Sequence, residues 1–135
     1  MADARKITRL LLKHYPEPGL ALRFRTPLQL LVAVILSAQC TDARVNEVTK
    51  TLFKKYKKAS DFAEADLATF EQEIRPTGFY HNKARTVIKC CRQLVDDYHG
   101  RVPKDVDELT KLAGVGRKTA NMVGGNAFGM QAIAV

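Results

Sequence analysis

Between Leu28 and Ala38 the chain is apolar at almost every position, and Thr26-Pro27 stands directly before this run. Thr26-Pro27-Leu28-Gln29 has the form of a capping box. Thr26 would cap, Pro27 would take the first helical position, where its missing N–H costs nothing, and Gln29 would reach back. The helix this predicts, about 27–39, is apolar all round and has no face to offer water. It is also too short to cross a bilayer, which takes about 20 residues. Other elements must therefore cover it on every side, and the rest of the 135 residues has to be organised around it.

Those other elements also read as helices. Ile7, Leu10, Leu11 and Leu12 put apolar residues on one side of a first helix over about 3–15, which Pro16-Glu17-Pro18-Gly19 ends. Thr41-Asp42 opens a third helix with Val45, Val48, Leu52 and Phe53 at helical spacing. It closes in Lys54, Lys55, Lys57 and Lys58, which read either as a solvated cluster favoured by the helix C-terminal dipole or as a phosphate-binding patch. Ser60 and Asp66 are expected to cap one or two short helices that finish at Arg75-Pro76. The strongest pattern is 82–98, with Ala84, Val87, Ile88, Cys91, Leu94, Val95 and Tyr98 on one stripe and Gly100 closing it. Two more helices follow Val102-Pro103, at about 105–111 and 117–127. No strand-like alternation runs for more than a few residues, so the expected class is all-α.

Composition narrows the function. A formal net charge of +8 and a pI near 9.6 favour a polyanionic partner. Cys40, Cys90 and Cys91 make neither a disulfide framework nor a C-x-x-C metal signature, which fits a reducing, cytoplasmic setting. The polar first residues are unlike a signal peptide, and no membrane partner is expected.

The stretch that carries chemistry is Leu112-Ala113-Gly114-Val115-Gly116-Arg117-Lys118-Thr119-Ala120. Read physically, it is a tight turn between two helices. Gly114 and Gly116 are expected to take backbone angles that a side chain would oppose and to let a ligand approach bare backbone. Unpaired amides at the start of the second helix point outward with the positive end of its dipole behind them, a ready seat for phosphate. Arg117 and Lys118 add charge. The competing reading is an ordinary turn with two glycines and two surface cations.

This string resembles the helix-hairpin-helix motif of DNA glycosylases. Three further segments resemble the endonuclease III branch in order and spacing: Leu36-Ser37-Ala38-Gln39-Cys40-Thr41-Asp42, Gly78-Phe79-Tyr80-His81-Asn82-Lys83-Ala84 and Asn126-Ala127-Phe128-Gly129. The resemblance covers essentially the whole chain. It implies a six-helix barrel domain over 21–135, with the hairpin motif at about 105–127. Residues 1–20 would form an N-terminal helix belonging to a second lobe, which binds a [4Fe-4S] cluster through four cysteines. It also implies base-excision repair: removal of an oxidised pyrimidine flipped out of double-stranded DNA, then cleavage at the abasic site. The bacterial cytoplasm, in association with the nucleoid, is the implied location.

Carried over residue by residue, the resemblance makes Lys118 the amine that attacks the sugar C1′ and forms a Schiff base. A lysine must be neutral to attack, and the alternative for Lys118 is a phosphate contact. A lysine here also argues against the related adenine-mismatch glycosylases. Gln39 matches the residue that fills the gap left by the flipped nucleotide, or else caps a helix end. Phe79 matches an apolar wedge that enters the base stack, or else folds back on the core. Gly114, Val115, Gly116, Arg117 and Thr119 match the DNA-gripping hairpin. Asp42 lies near the family's cleft, although capping the third helix explains it.

The chain also departs from the family pattern. The family follows its equivalent of Ile133-Ala134-Val135 with an Asp-Thr-His segment whose aspartate assists the lysine, and here the sequence ends at Val135. Its cysteines are not at cluster positions, so no cofactor is expected in this chain. Ala113 replaces a proline. Gly124-Gly125 sits inside the last helix at about 1 kcal/mol per glycine, so that helix is expected to fray. The expectation is a chain cut at the edge of its active site, with impaired glycosylase activity and self-association through Ile7, Leu10 and Leu11. A non-catalytic helix-hairpin-helix DNA-binding fragment is the alternative, and a structural protein with incidental charge is a third reading. Salt-dependent duplex binding would dispose of the third.

Overall fold

The computed structural model describes residues 4–5, 7–8 and 22–127, with side chains from 22 to 124. Helix α1, Pro27–Leu36, is the axis of the fold. Leu28 and every residue from Leu30 to Leu36 are buried, as an all-apolar helix requires. Its start follows the expected chemistry, since Thr26 Oγ1 accepts from the Gln29 amide at 3.1 Å. The reciprocal bond falls one residue earlier than the capping box predicts, with Gln29 Oε1 accepting from the Arg25 amide at 2.7 Å.

Around α1 lie α2, Asp42–Lys55; α3, Ala59–Ala63; α4, Leu67–Ile74; a 3₁₀ turn, Arg75–Thr77; α5, Tyr80–Tyr98; α6, Val106–Leu109; and α7, Arg117–Ala127. Residues 22–127 hold no strand, and the fold is all-helical. Helix α5 begins two residues earlier than its stripe suggests and buries Ala84, Val87, Cys91 and Leu94 as expected. Cys90 and Lys83 are buried with them. Its end is an αL cap, with His99 at φ 57° and the Gly100 amide reaching Leu94 O at 2.8 Å. The last helix runs without a break through Gly124, where a Cβ would meet only ordinary contacts with Val106 and Lys104. The two glycines thus do not interrupt the helix, which continues to Ala127.

Two expectations are corrected. Ser60 does not cap α3, which starts at Ala59; Asp61 closes that end instead, its Oδ2 accepting from the Lys57 and Lys58 amides. A carboxylate reaches two amides at once, which a serine hydroxyl in the first turn cannot do. Asp66 does cap α4, taking the Thr69 amide at 3.0 Å. Over the described part of the expected first helix, Ala4–Arg5 (β1) and Ile7–Thr8 (β2) pair as two-residue parallel strands. Thirteen residues with one apolar stripe have little helical stability until that stripe is packed. The remainder of 3–15, including Leu10 and Leu11, lies outside the described residues, as do residues 128–135.

An aromatic corner closes the α2–α3–α4 side. Tyr56 stacks on Phe62 with centroids 5.0 Å apart, and Phe70 meets both rings edge-on at 5.4 and 6.1 Å. Glu73 ties this corner to Lys55 of α2, accepting from Tyr56 Oη and from Lys55 Nζ, each at 2.6 Å. Lys55 is therefore paired rather than a free phosphate contact. No described helix is long and apolar enough to cross a membrane.

Candidate nucleic-acid interface

The nine-residue string folds as a hairpin between α6 and α7. Leu109 and Leu112 anchor it in the core, and Val115 is buried with them. The Val115 amide donates to Leu112 O at 3.2 Å, so Val115 holds the turn from inside while its neighbours face out.

The two glycines do different work. Gly114 has φ +78°, and a Cβ there would collide with Thr86 Cγ2 on α5 and touch Ile35 on α1. It is glycine for backbone conformation and for close approach together. Gly116, against expectation, has no positive φ, and a Cβ on it would meet nothing within 4 Å. Its carbonyl accepts from the Ala120 amide at 2.8 Å, which makes it the residue that leads into α7. Having no side chain, it cannot cap the helix itself. Among the described residues no side chain accepts from the amides of Arg117, Lys118 or Thr119. What the second glycine provides is an open first turn on the positive end of α7.

Lys118 stands on that open turn, exposed, and makes no ion pair among the described residues. Arg117 is also exposed, but its Nη1 lies 3.1 Å from Asp107 Oδ1 and bridges the two helices of the hairpin. An exposed pair of this kind adds at most about 1 kcal/mol. Thr119 is partly buried. The hairpin is also stitched to α5 by Gln93, which had no signal in the sequence. Its Oε1 accepts from the Ala113 amide at 2.7 Å, and its Nε2 donates to Lys111 O at 3.1 Å. With Ala in place of the usual proline, the turn keeps an N–H for Gln93 to hold.

Two other loops carry the remaining candidates. Gln39 follows the end of α1, exposed, in the left-handed region at φ 52°. Phe79 precedes α5 at φ 48° and is 66% exposed. The ring has not folded back on the core. Such angles are uncommon for residues other than glycine, and only His99 shares them among the described residues. Gly114 packs against Ile35, four residues before Gln39, and Thr86, seven residues after Phe79. The hairpin and both loops therefore converge where α1 ends and α5 begins. Asp42 sits in the first turn of α2, behind the Thr41 cap, where its charge suits the helix dipole.

The described thiols do not fit an iron–sulfur cluster. Cys90 and Cys91 are buried side by side in the α5 core, where burial pushes Cys90 up to about 12 and Cys91 higher still, against thiolate formation. Cys40 lies on a different loop, and no group of metal ligands forms among the described residues.

A buried core helix, a glycine hairpin docked on it and an open helix start bearing a lysine define a helix-hairpin-helix protein. The sequence profile of the HhH-GPD superfamily of base excision DNA repair proteins matches residues 32–131, and the chain belongs to that family. It is similar to Endonuclease III of Bacillus subtilis, at 52% identity over 90% of this chain and 55% of that protein. Its structure is similar to one described as a non-covalent Endonuclease III–DNA complex, with TM-score 0.81 and 51% identity over 95% of this chain and 60% of that one. A trapped Endonuclease III–DNA covalent intermediate matches with TM-score 0.80, again at 51% identity and with the same coverage. The chain thus spans somewhat over half the length of the relatives it matches.

Proposed function

We propose that this chain grips damaged double-stranded DNA and carries the nucleophile of a DNA glycosylase/AP lyase that removes oxidised pyrimidines. The observation that supports this reading most is Lys118 itself, a cation exposed on the open first turn of α7 and paired with no carboxylate among the described residues. A phosphate approaching past Gly116 meets unshared amides and the positive end of the helix, and brings the sugar of a flipped nucleotide toward the lysine. Gln39 would fill the space the nucleotide leaves, and Phe79 would wedge into the stack. At an abasic site the Lys118 amine adds to the C1′ aldehyde and loses water to give an imine. β-Elimination from that imine then breaks the 3′ C–O bond.

A second reading draws on the pairing of Arg117 with Asp107, which leaves the hairpin a neutralised cation and a grip made mostly of backbone. On that reading the chain is a DNA-binding fragment without chemistry. Borohydride trapping on a duplex carrying one abasic site separates the two. A covalent adduct that vanishes in Lys118→Ala is expected. Duplex binding without an adduct from the unaltered chain would overturn the nucleophile and leave the second reading.

A further inference from the structure

Lys83 is the one cation in the described core. It is 5% exposed, in the first turn of α5, where the positive end of its own helix opposes an ammonium. No carboxylate among the described residues pairs with it. Its Nζ donates instead to two backbone carbonyls, Leu36 O and Thr77 O, each at 2.8 Å. Burying a charge costs several kcal/mol unless it is fully bonded, so a lysine in this place calls for a reason.

The two carbonyls supply one. Leu36 is the last residue of α1 and Thr77 the last of the 3₁₀ turn, so both belong to helix ends whose carbonyls have no helical partner. The negative ends of these two elements converge on one ammonium. Gln39 lies three residues beyond the first carbonyl and Phe79 two residues beyond the second. Both loops emerge from the same clamp and both turn through left-handed backbone. The Lys83 amide also donates to Phe79 O at 3.0 Å, which fixes the wedge from its other side. Burial pushes the ammonium below its ordinary lysine value, with neighbouring Cys40 opposing, so the clamp holds its charge against a desolvation cost.

We propose that Lys83 is a positioning residue that locks the Gln39 loop and the Phe79 loop into one rigid two-pronged probe for duplex DNA. The inference rests on the reading that these two side chains enter the duplex. Lys83 touches no DNA itself; it sets the spacing between the two groups that do. Neither loop has a regular ladder of its own to hold strained backbone, and such strain persists only where the surroundings over-determine it.

The test compares binding to a duplex carrying a tetrahydrofuran abasic analogue with binding to the same duplex intact, for the full chain and for Lys83→Met, which keeps the buried stem and removes the donors. A misplacement of about 1 Å can cost a site roughly 100-fold. The preference for the abasic duplex should fall by roughly tenfold or more on the same argument, with affinity for the intact duplex, held by the backbone grip of the hairpin that Lys83 does not bond, unchanged. A folded variant that keeps the preference, or that loses both affinities in proportion, overturns the proposal and leaves Lys83 a stitch in the core. If Lys83→Met does not melt cooperatively, the decision passes to Gln39→Ala and Phe79→Ala, singly and together, with Lys83 intact. Two prongs of one rigid probe give strongly non-additive losses, and additive losses overturn the clamp. An unaltered chain with no abasic preference at all would instead sink the reading of Gln39 and Phe79, and the clamp with it.

Discussion

The aromatic corner and the glycine hairpin both lean on α5, yet they are built on opposite terms. At the corner Tyr56, Phe62 and Phe70 fill space with large rings in mutual contact, and Glu73 closes the rim by accepting from Tyr56 and Lys55. At the hairpin the side chains are withdrawn. Gly114 sets bare backbone against the Thr86 and Ile35 side chains, Gly116 leaves backbone against solvent, and Gln93 holds the turn by two hydrogen bonds rather than by volume. The first region gains stability from what is present, and the second gains access from what is missing. A substitution should accordingly act in opposite directions in the two places: deleting atoms harms the corner, and adding them harms the hairpin.

The largest effect belongs to the corner. Phe70 is fully buried between two rings, and Phe70→Ala removes both contacts and leaves a cavity. A loss of about 3–5 kcal/mol is expected in denaturant unfolding. Duplex affinity per folded molecule should be retained, because no corner residue faces the hairpin. A loss below about 1 kcal/mol would mean that the corner collapses around the gap and is not the rigid partner of the comparison.

Next come the two glycines, which divide the hairpin itself. Gly114→Ala drives a methyl into Thr86 Cγ2 at φ +78°. Overpacking and left-handed strain together should cost about 2–4 kcal/mol. Adding Thr86→Ser, which removes the clashing methyl, should recover the overpacking share and leave the strain. Gly116→Ala meets empty space at an ordinary φ, so stability should change by less than about 0.5 kcal/mol. Duplex binding should nonetheless weaken, because the new methyl stands where phosphate would approach the amides of α7. Thermal melts beside salt-titrated duplex binding separate the two outcomes. If Gly116→Ala binds intact duplex as the unaltered chain does, the open turn is not the phosphate seat.

The same contrast explains what could be read before the structure. Residues that act by local chemistry were legible: Thr26 and Asp66 as caps, Gly100 as a stop, Leu28 to Leu36 as a helix with no exposed face. Each depends only on neighbours within a turn or two. The identity of the hairpin was legible too, through the resemblance of its whole nine-residue string to a known motif, whereas the glycine spacing alone left an ordinary turn open. What escaped depends on groups distant in sequence. Gln93 reaches the hairpin from 20 residues before Ala113. Lys83 reaches Leu36 across 47 residues, and a lysine in an amphipathic pattern reads as surface until its two carbonyls are seen. The equal treatment of Gly114 and Gly116 failed for the same reason, since only Thr86 and Ile35, far along the chain, tell them apart. Ser60 failed locally, through a stronger acceptor one residue on.

The smallest effect is also the one that tests the comparison most finely, because each region holds a tyrosine bonded to a glutamate. Tyr56 Oη meets Glu73 and Tyr98 Oη meets Glu108, each at 2.6 Å, and both phenols are pushed up to about 12. The causes differ in rank. Burial leads at Tyr56, ahead of the Glu73 bond; the Glu108 bond leads at Tyr98, ahead of burial. A phenol whose folded value lies above its ordinary 10 favours folding in its neutral form. That contribution is whole below pH 10 and drains away as pH rises toward 12, so both regions should hold level to about pH 10 and weaken beyond it. Ultraviolet titration of tyrosinate in Glu73→Gln and Glu108→Gln then distinguishes them. Glu108→Gln should let Tyr98 ionise close to its ordinary range. Glu73→Gln should leave Tyr56 well above it, because the packed rings that desolvate the phenol remain. Equal release of the two tyrosines would mean that the corner is no drier than the hairpin, and that the two regions differ in shape alone.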